Sequence, residues 1–202
     1  MGCAELIWMA ASDPEQAILQ ELAGPVGVWE PGGTSPGGIQ SGIVRGGNAQ
    51  RADLATVRFV KHRQSERRHL YFVTFDGTHP RLGPGVISFH YAYPVEPDPG
   101  GGWRVFGGAG GAGEMPRRST PWVNLGGGGW PDRFYAGGLV DHAGAEIAAI
   151  ELRFANGITL SDDTEHGVAL LITDQCVELP ATAALLDEAR TVVATHRPFP
   201  GP

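Results

Sequence analysis

Lysine is almost missing from this chain. Lys61 is the only one among 15 lysines and arginines, and 22 acidic residues leave a formal charge of −7 with a pI near 5.4. So few cations give no means of holding nucleic acid or an anionic membrane non-specifically, which argues against both as partners. Lysine scarcity with abundant arginine, glycine, alanine and proline points to a GC-rich bacterial genome. Cysteine is scarce too. Cys3 and Cys176 cannot make a disulfide framework, and 202 residues can build a core without one, so a reducing compartment fits. Long apolar runs are lacking. The opening MGCAELIWMAAS carries Glu5 where a signal peptide is apolar, has no basic segment, and places Leu6 where a myristoylation pattern needs Ser or Thr. A cytoplasmic protein is expected.

Catalytic motifs are equally sparse. There is no G-x-S-x-G, and Cys176 closes an apolar strand as a buried thiol would. None of the seven histidines pairs at the i, i+2 or i, i+4 spacing that places two metal ligands on one side of an element. No metal or other cofactor is expected.

Glycine and proline are plentiful, at 31 and 16 residues, and concentrate between Gly100 and Gly138. Glycine clusters alternate there with Trp103, Trp122 and Trp130. Ordered glycine is costly in backbone entropy and contributes no side chain, so large aromatics must hold such a segment. It reads as a long structured connector between two β halves and as the first place to seek a binding surface. Gly108, Gly110 and Gly113 have the G-x-G-x-x-G spacing, but Pro116, Pro121 and the missing apolar helical period forbid the helix that dinucleotide binding requires.

Elsewhere the pattern is regular. Asp13 before Pro14, an apolar stripe of Ile18, Leu19 and Leu22, and Gly24-Pro25 predict a helix from Pro14 to Ala23. Residues 25–38 read as a covering loop around Trp29. A period of two from Ala55 puts Val57 and Phe59 on one face and Arg58, Val60 and His62 on the other, and predicts a hairpin with Leu70 to Phe75. Val86 to Val95 is a third strand with Ile87, Phe89, Tyr91 and Tyr93 on one face, and Trp103 to Phe106 a short fourth. Beyond the connector, Ala148 to Phe154 alternates. A three-residue Ala155-Asn156-Gly157 loop with left-handed Gly157 would pair Leu152 with Leu160 and keep the apolar face intact. Val168 to Thr173 reads as a strand buried on both faces or central, and 181–196 fits either an amphipathic helix or a hairpin turning at Asp187 to Arg190, the β-branched Val192-Val193 and the neighbouring hairpins favouring the second. The fold class expected is mainly β, an antiparallel sandwich-like architecture with one short N-terminal helix. Its segments are 1–38, a first β half at 39–99, the connector at 100–138, and an immunoglobulin-like second half at 139–202, together one compact unit.

Trp122, Asn124, Trp130 and Tyr135, with Arg117 and Arg118, form the stronger candidate site, an apolar platform flanked by polar groups. The alternative is that these rings simply fill space over glycine turns. His90, Asp141 and His142 are lesser polar candidates. Asp162, Asp163 and Glu165 could hold calcium or form a solvated acidic loop. The basic run from Arg58 to His69, with Lys61, Arg63, Arg67 and Arg68, could dock an anionic partner or stay solvated. Two functions follow. One is a non-catalytic interaction module for a protein partner, a second copy of itself or a carbohydrate. The other is a small enzyme with a pocket under the connector using His90, Asp141 and His142.

Overall fold

The computed structural model describes residues 11–25, 28–34, 40–45, 50–79, 82–114, 117–128 and 133–200, and for 28–34 and 40–45 the backbone alone. It is mostly antiparallel β, with several sheets packed together and one α-helix among the described residues. The helix, α1 (Pro14–Ala23), has the bounds its caps predict. Asp13 accepts the Gln16 N–H through its side chain, and Ile18 and Leu22 are buried. Residues 25–38, expected as a covering loop, instead contain β1 (Val28–Thr34), which pairs with β2 (Gln40–Arg45) as a two-stranded sheet.

The first large sheet contains β3 (Arg51–Ala52), β4 (Arg58–Gln64), β5 (His69–Thr78), β6 (Ile87–Pro97), β7 (Trp103–Val105) and β8 (Ala109–Ala112). Its outer face carries Tyr71, Val73, Phe75, Phe89 and Tyr93, which bury α1. A bulge between Phe59 and Lys61 breaks the expected alternation of β4. His62 therefore returns to the side of Phe59, and Lys61 turns inward.

Glycine-rich β9 (Trp122–Gly128) and β10 (Phe134–Asp141) form the middle sheet with β13 (Val168–Thr173), in the order β13, β10, β9. The outer sheet follows the order β12, β11, β14, β15, built from β11 (Ala149–Phe154), β12 (Thr159–Asp163), β14 (Ala181–Leu186) and β15 (Val192–Phe199). Here the expected registers hold. Leu152 pairs with Leu160 across a turn with Gly157 at φ 83°, and β14 and β15 form the hairpin turning at Asp187 to Arg190.

The middle sheet is buried on both faces along β10 and β13, and less so along β9. Phe134, Ala136, Val140, Ala169 and Leu171 pack on the outer sheet, while Tyr135, Val168 and Leu170 pack on Leu70, Phe72 and Ala92 of the first. Residues 100–138, expected as a loop, are thus in large part strands. Glycine suits them because the sheets approach closely. A Cβ on Gly137 would stand 2.5 Å from the Ala92 Cβ and 2.8 Å from a Leu170 methyl, and one on Gly126 would stand 2.9 Å from the Ala109 Cβ. Gly137→Ala is expected to destabilise the protein by about 1–3 kcal/mol through overpacking, measured by urea unfolding. Gly128→Ala, with open space around its Cβ position, should cost less in the same measurement.

Candidate functional site

Trp122 opens β9. Val123 and Leu125 enter the core against the outer sheet, so Trp122, Asn124 and Gly126 face the other way. Ala109 of β8 lies against the Gly126 position, whereas Asn124 is exposed and Trp122 half-buried. The Arg118 guanidinium carbon stands 3.9 Å from the centre of the Trp122 ring, a cation–π stack. His196 of β15 meets the ring edge-on at 6.4 Å and bonds the Pro121 carbonyl through Nε2 at 3.1 Å. Asp141 pairs with Trp122 across the strands and accepts the backbone N–H groups of Arg118 at 3.0 Å and Ala143 at 2.9 Å. Those two bonds hold its carboxyl below the usual aspartate range. Arg117 and Arg118 are exposed, and among the described residues neither side chain has a hydrogen-bonding or ion-pair partner.

The fold thus gathers Trp122, Asn124, Arg117, Arg118, Asp141 and His142 at one edge of the middle sheet. Tyr135 is not among them. It is 8% exposed between the first and middle sheets, its hydroxyl accepting the Gly108 N–H, because β10 alternation turns it inward. Trp130 lies outside the described residues. His90 lies on the inner face of the first sheet, stacked on Phe72, and among the described residues no hydrogen bond or ring contact joins it to Asp141 or His142. A depression of about 440 Å³ nearby is lined by Thr56, Arg58, Thr74, Asp76 and Ser88, with Ser88 Oγ donating to Asp76 at 2.6 Å, and by no histidine. Gly108 to Gly113 leads into β8 rather than a helix, so no nucleotide cradle forms. Cys176 is exposed; it lies three residues beyond the end of β13, where the chain has left the core.

Two clusters escaped sequence reasoning. In the first, Lys61 Nζ donates to Asp162 Oδ2 (2.8 Å), Asp163 Oδ1 (2.5 Å) and the carbonyls of Asp163 (2.6 Å) and Val168 (2.9 Å). Arg63 bridges Asp162 and Asp163, and Asp162 also accepts the Leu170 N–H. Farther along, Arg68 joins Glu96 to Asp174, while Arg104 and Arg133 complete the set around Glu96. Lys61, Arg63 and Arg68 of the basic run therefore meet acidic residues of their own chain, while Arg58 and Arg67 are exposed and form no ion pair among the described residues. Asp162 and Asp163 hold cations already and are not a calcium loop, and Glu165 is exposed beside His166. Among the described residues no group of three or more His, Cys, Asp or Glu could hold a metal ion.

In the second cluster, His62 Nε2 lies 2.9 Å from His69 Nδ1, with His62 stacked on Tyr71 at 4.4 Å and Trp103 edge-on to His69. The two histidines are seven residues apart in sequence, and only the hairpin brings them together.

Compared with family models, with curated proteins and with solved structures, the chain finds no match. Among the described residues no helix is long and apolar enough to cross a membrane.

Removing the Lys61 charge by Lys61→Met should cost about 3–5 kcal/mol in urea unfolding, because Asp162, with a side chain 0% exposed, loses its buried partner. Arg153→Met, at an exposed pair with Glu151, should cost less than about 1 kcal/mol.

Burial holds His62, His69 and His90 below the ordinary histidine value, with His69 and Arg63 adding to the effect at His62. The unfolded chain therefore takes up protons first. Stability should be full above about pH 6.5 and fall as pH drops through the folded values, as read by thermal melts. A His62→Gln, His69→Gln variant should show a shallower fall. Burial opposes ionisation of Glu96, Asp163 and Asp174, but their cationic and hydrogen-bonding partners outweigh it and hold all three low. A second loss is expected below about pH 4.

Proposed function

We propose that this protein is a non-catalytic interaction module whose binding face is the Trp122 edge of the middle sheet. Its partner is a protein, a second copy of the chain or a carbohydrate. One observation carries this: a tryptophan stacked by Arg118 and flanked by the exposed Asn124 and Arg117 is only partly covered by the described residues. Such a ring offers a large apolar area at little entropic cost, next to polar groups able to fix orientation. The second half from 139 to 202 is taken as immunoglobulin-like on its strand and turn spacing, the source as bacterial on composition, and the setting as cytoplasmic on the scarcity of cysteine.

Trp122→Ala and Asn124→Ala test it. Both should fold with unfolding free energies within about 1 kcal/mol of the parent. Trp122→Ala should change the association measured by light scattering over rising concentration, or a titration with soluble oligosaccharides followed by tryptophan fluorescence. Collapse of the fold in Trp122→Ala would make the ring a core element and remove the proposal.

A further inference from the structure

The charge of the Trp122 edge is opposite to that of the protein as a whole. With a net charge of −7, the chain pairs Lys61, Arg63, Arg68, Arg104, Arg133, Arg153 and Arg190 with its own carboxylates. Arg117 and Arg118, adjacent in sequence, form no ion pair among the described residues, as is also true of the exposed Arg51, Arg58, Arg67 and Arg197; what sets these two apart is their place beside Trp122, with Arg117 near enough to Asp141 to help hold its carboxyl low. The Asp141 carboxylate accepts the backbone N–H of Arg118 and that of Ala143, and forms no ion pair with the Arg118 guanidinium. The guanidinium lies at 3.9 Å over the Trp122 ring. Stacking fixes one face of the group and leaves its in-plane N–H edges open, so little further entropy is lost when a carboxylate docks bidentately.

Two further features describe the shape of what would dock. β9 is the edge strand of its sheet, pairing with β10 on one side and with no described strand on the other. Trp122 and Asn124 are two residues apart on one face, about 7 Å, which is the repeat of alternate side chains along an extended peptide. Asn124 is exposed and has no partner among the described residues, so its amide can both donate and accept.

Resting on the interaction-module proposal, we infer that the partner presents an acidic extended peptide segment. It lies along the outer edge of β9, placing a Glu or Asp carboxylate on Arg118 over Trp122, with its next same-facing side chain against Asn124. Arg117 adds attraction at the rim. Main-chain bonding to a free edge supplies affinity in this mode, and the carboxylate pocket supplies selectivity.

The test uses the full chain and a fluorescent peptide of about ten residues alternating Glu with Thr, read by anisotropy. Saturable binding is expected, weakened at least about tenfold by Arg118→Gln and by Trp122→Ala, and reduced as salt rises. The matching peptide with Gln in place of Glu should not bind. Arg153→Gln, a remote surface change, should bind like the parent. Absence of saturable binding to the parent, equal binding of the Gln peptide, or undiminished binding by Arg118→Gln would each overturn the inference. Binding of a soluble polyuronate with none of the peptide would overturn it in favour of an acidic sugar. Loss of self-association in Trp122→Ala without peptide binding would overturn it in favour of a second copy. In both of these last cases the Trp122 face remains an interaction surface. Only an unfolded Trp122→Ala removes that broader proposal as well.

Discussion

A single buried ammonium group fastens the first sheet to the rest of the molecule. Lys61, with 2% of its side chain exposed, points from β4 into oxygens supplied by Asp162, Asp163 and Val168. Desolvating that charge is unfavourable unless every oxygen is in place, and desolvating Asp162 is unfavourable without Lys61 and Arg63. Each half therefore satisfies its own buried charges only when docked in this register. The Arg68, Glu96 and Asp174 set repeats the arrangement farther along the same junction. Apolar contact of Leu70, Phe72 and Ala92 with Val168 and Leu170 supplies the area, and the ion pairs select the alignment.

Once the junction is set, β10 and β13 are covered on both faces and only the β9 margin of the middle sheet reaches solvent, and the composition follows. Side chains of ordinary size would hold the layers apart where Gly137 meets Ala92 and Gly126 meets Ala109, so small residues belong at those crossings. Away from them the same strands carry Phe134, Tyr135 and Leu139 into the two cores. The glycine-rich segment does join the two halves of the chain, but it does so as strands of the central layer.

The candidate interaction face is a by-product of that layering. β9 lies at the margin of the middle sheet, beside β8 of the first sheet and β15 of the outer one. Cover from β8 reaches Gly126 but leaves Asn124 exposed, so Trp122 is partly uncovered where Arg118 can stack on it. Trp122, Asn124, Arg117 and Arg118 were legible in the sequence as a local group. Tyr135 was not separable from them, because alternation along β10 sends it between the sheets and the glycines around it hide that period.

Local physics is what the sequence by itself determined. The Asp13 cap gives α1, Gly157 gives the turn that sets Leu152 against Leu160, and the unbroken apolar run of β13 marks a strand buried on both faces. Each of these depends on neighbours within a few residues. Tertiary structure alone decided the partners of charged and aromatic groups far apart in the chain. Lys61 and Asp162 are 101 residues apart, His62 and His69 meet only through the hairpin, and the bulge after Phe59 changes which face Lys61 occupies. A charged residue reads alike in sequence whether it is solvated or caged, since the difference lies in the distant atoms that replace water around it.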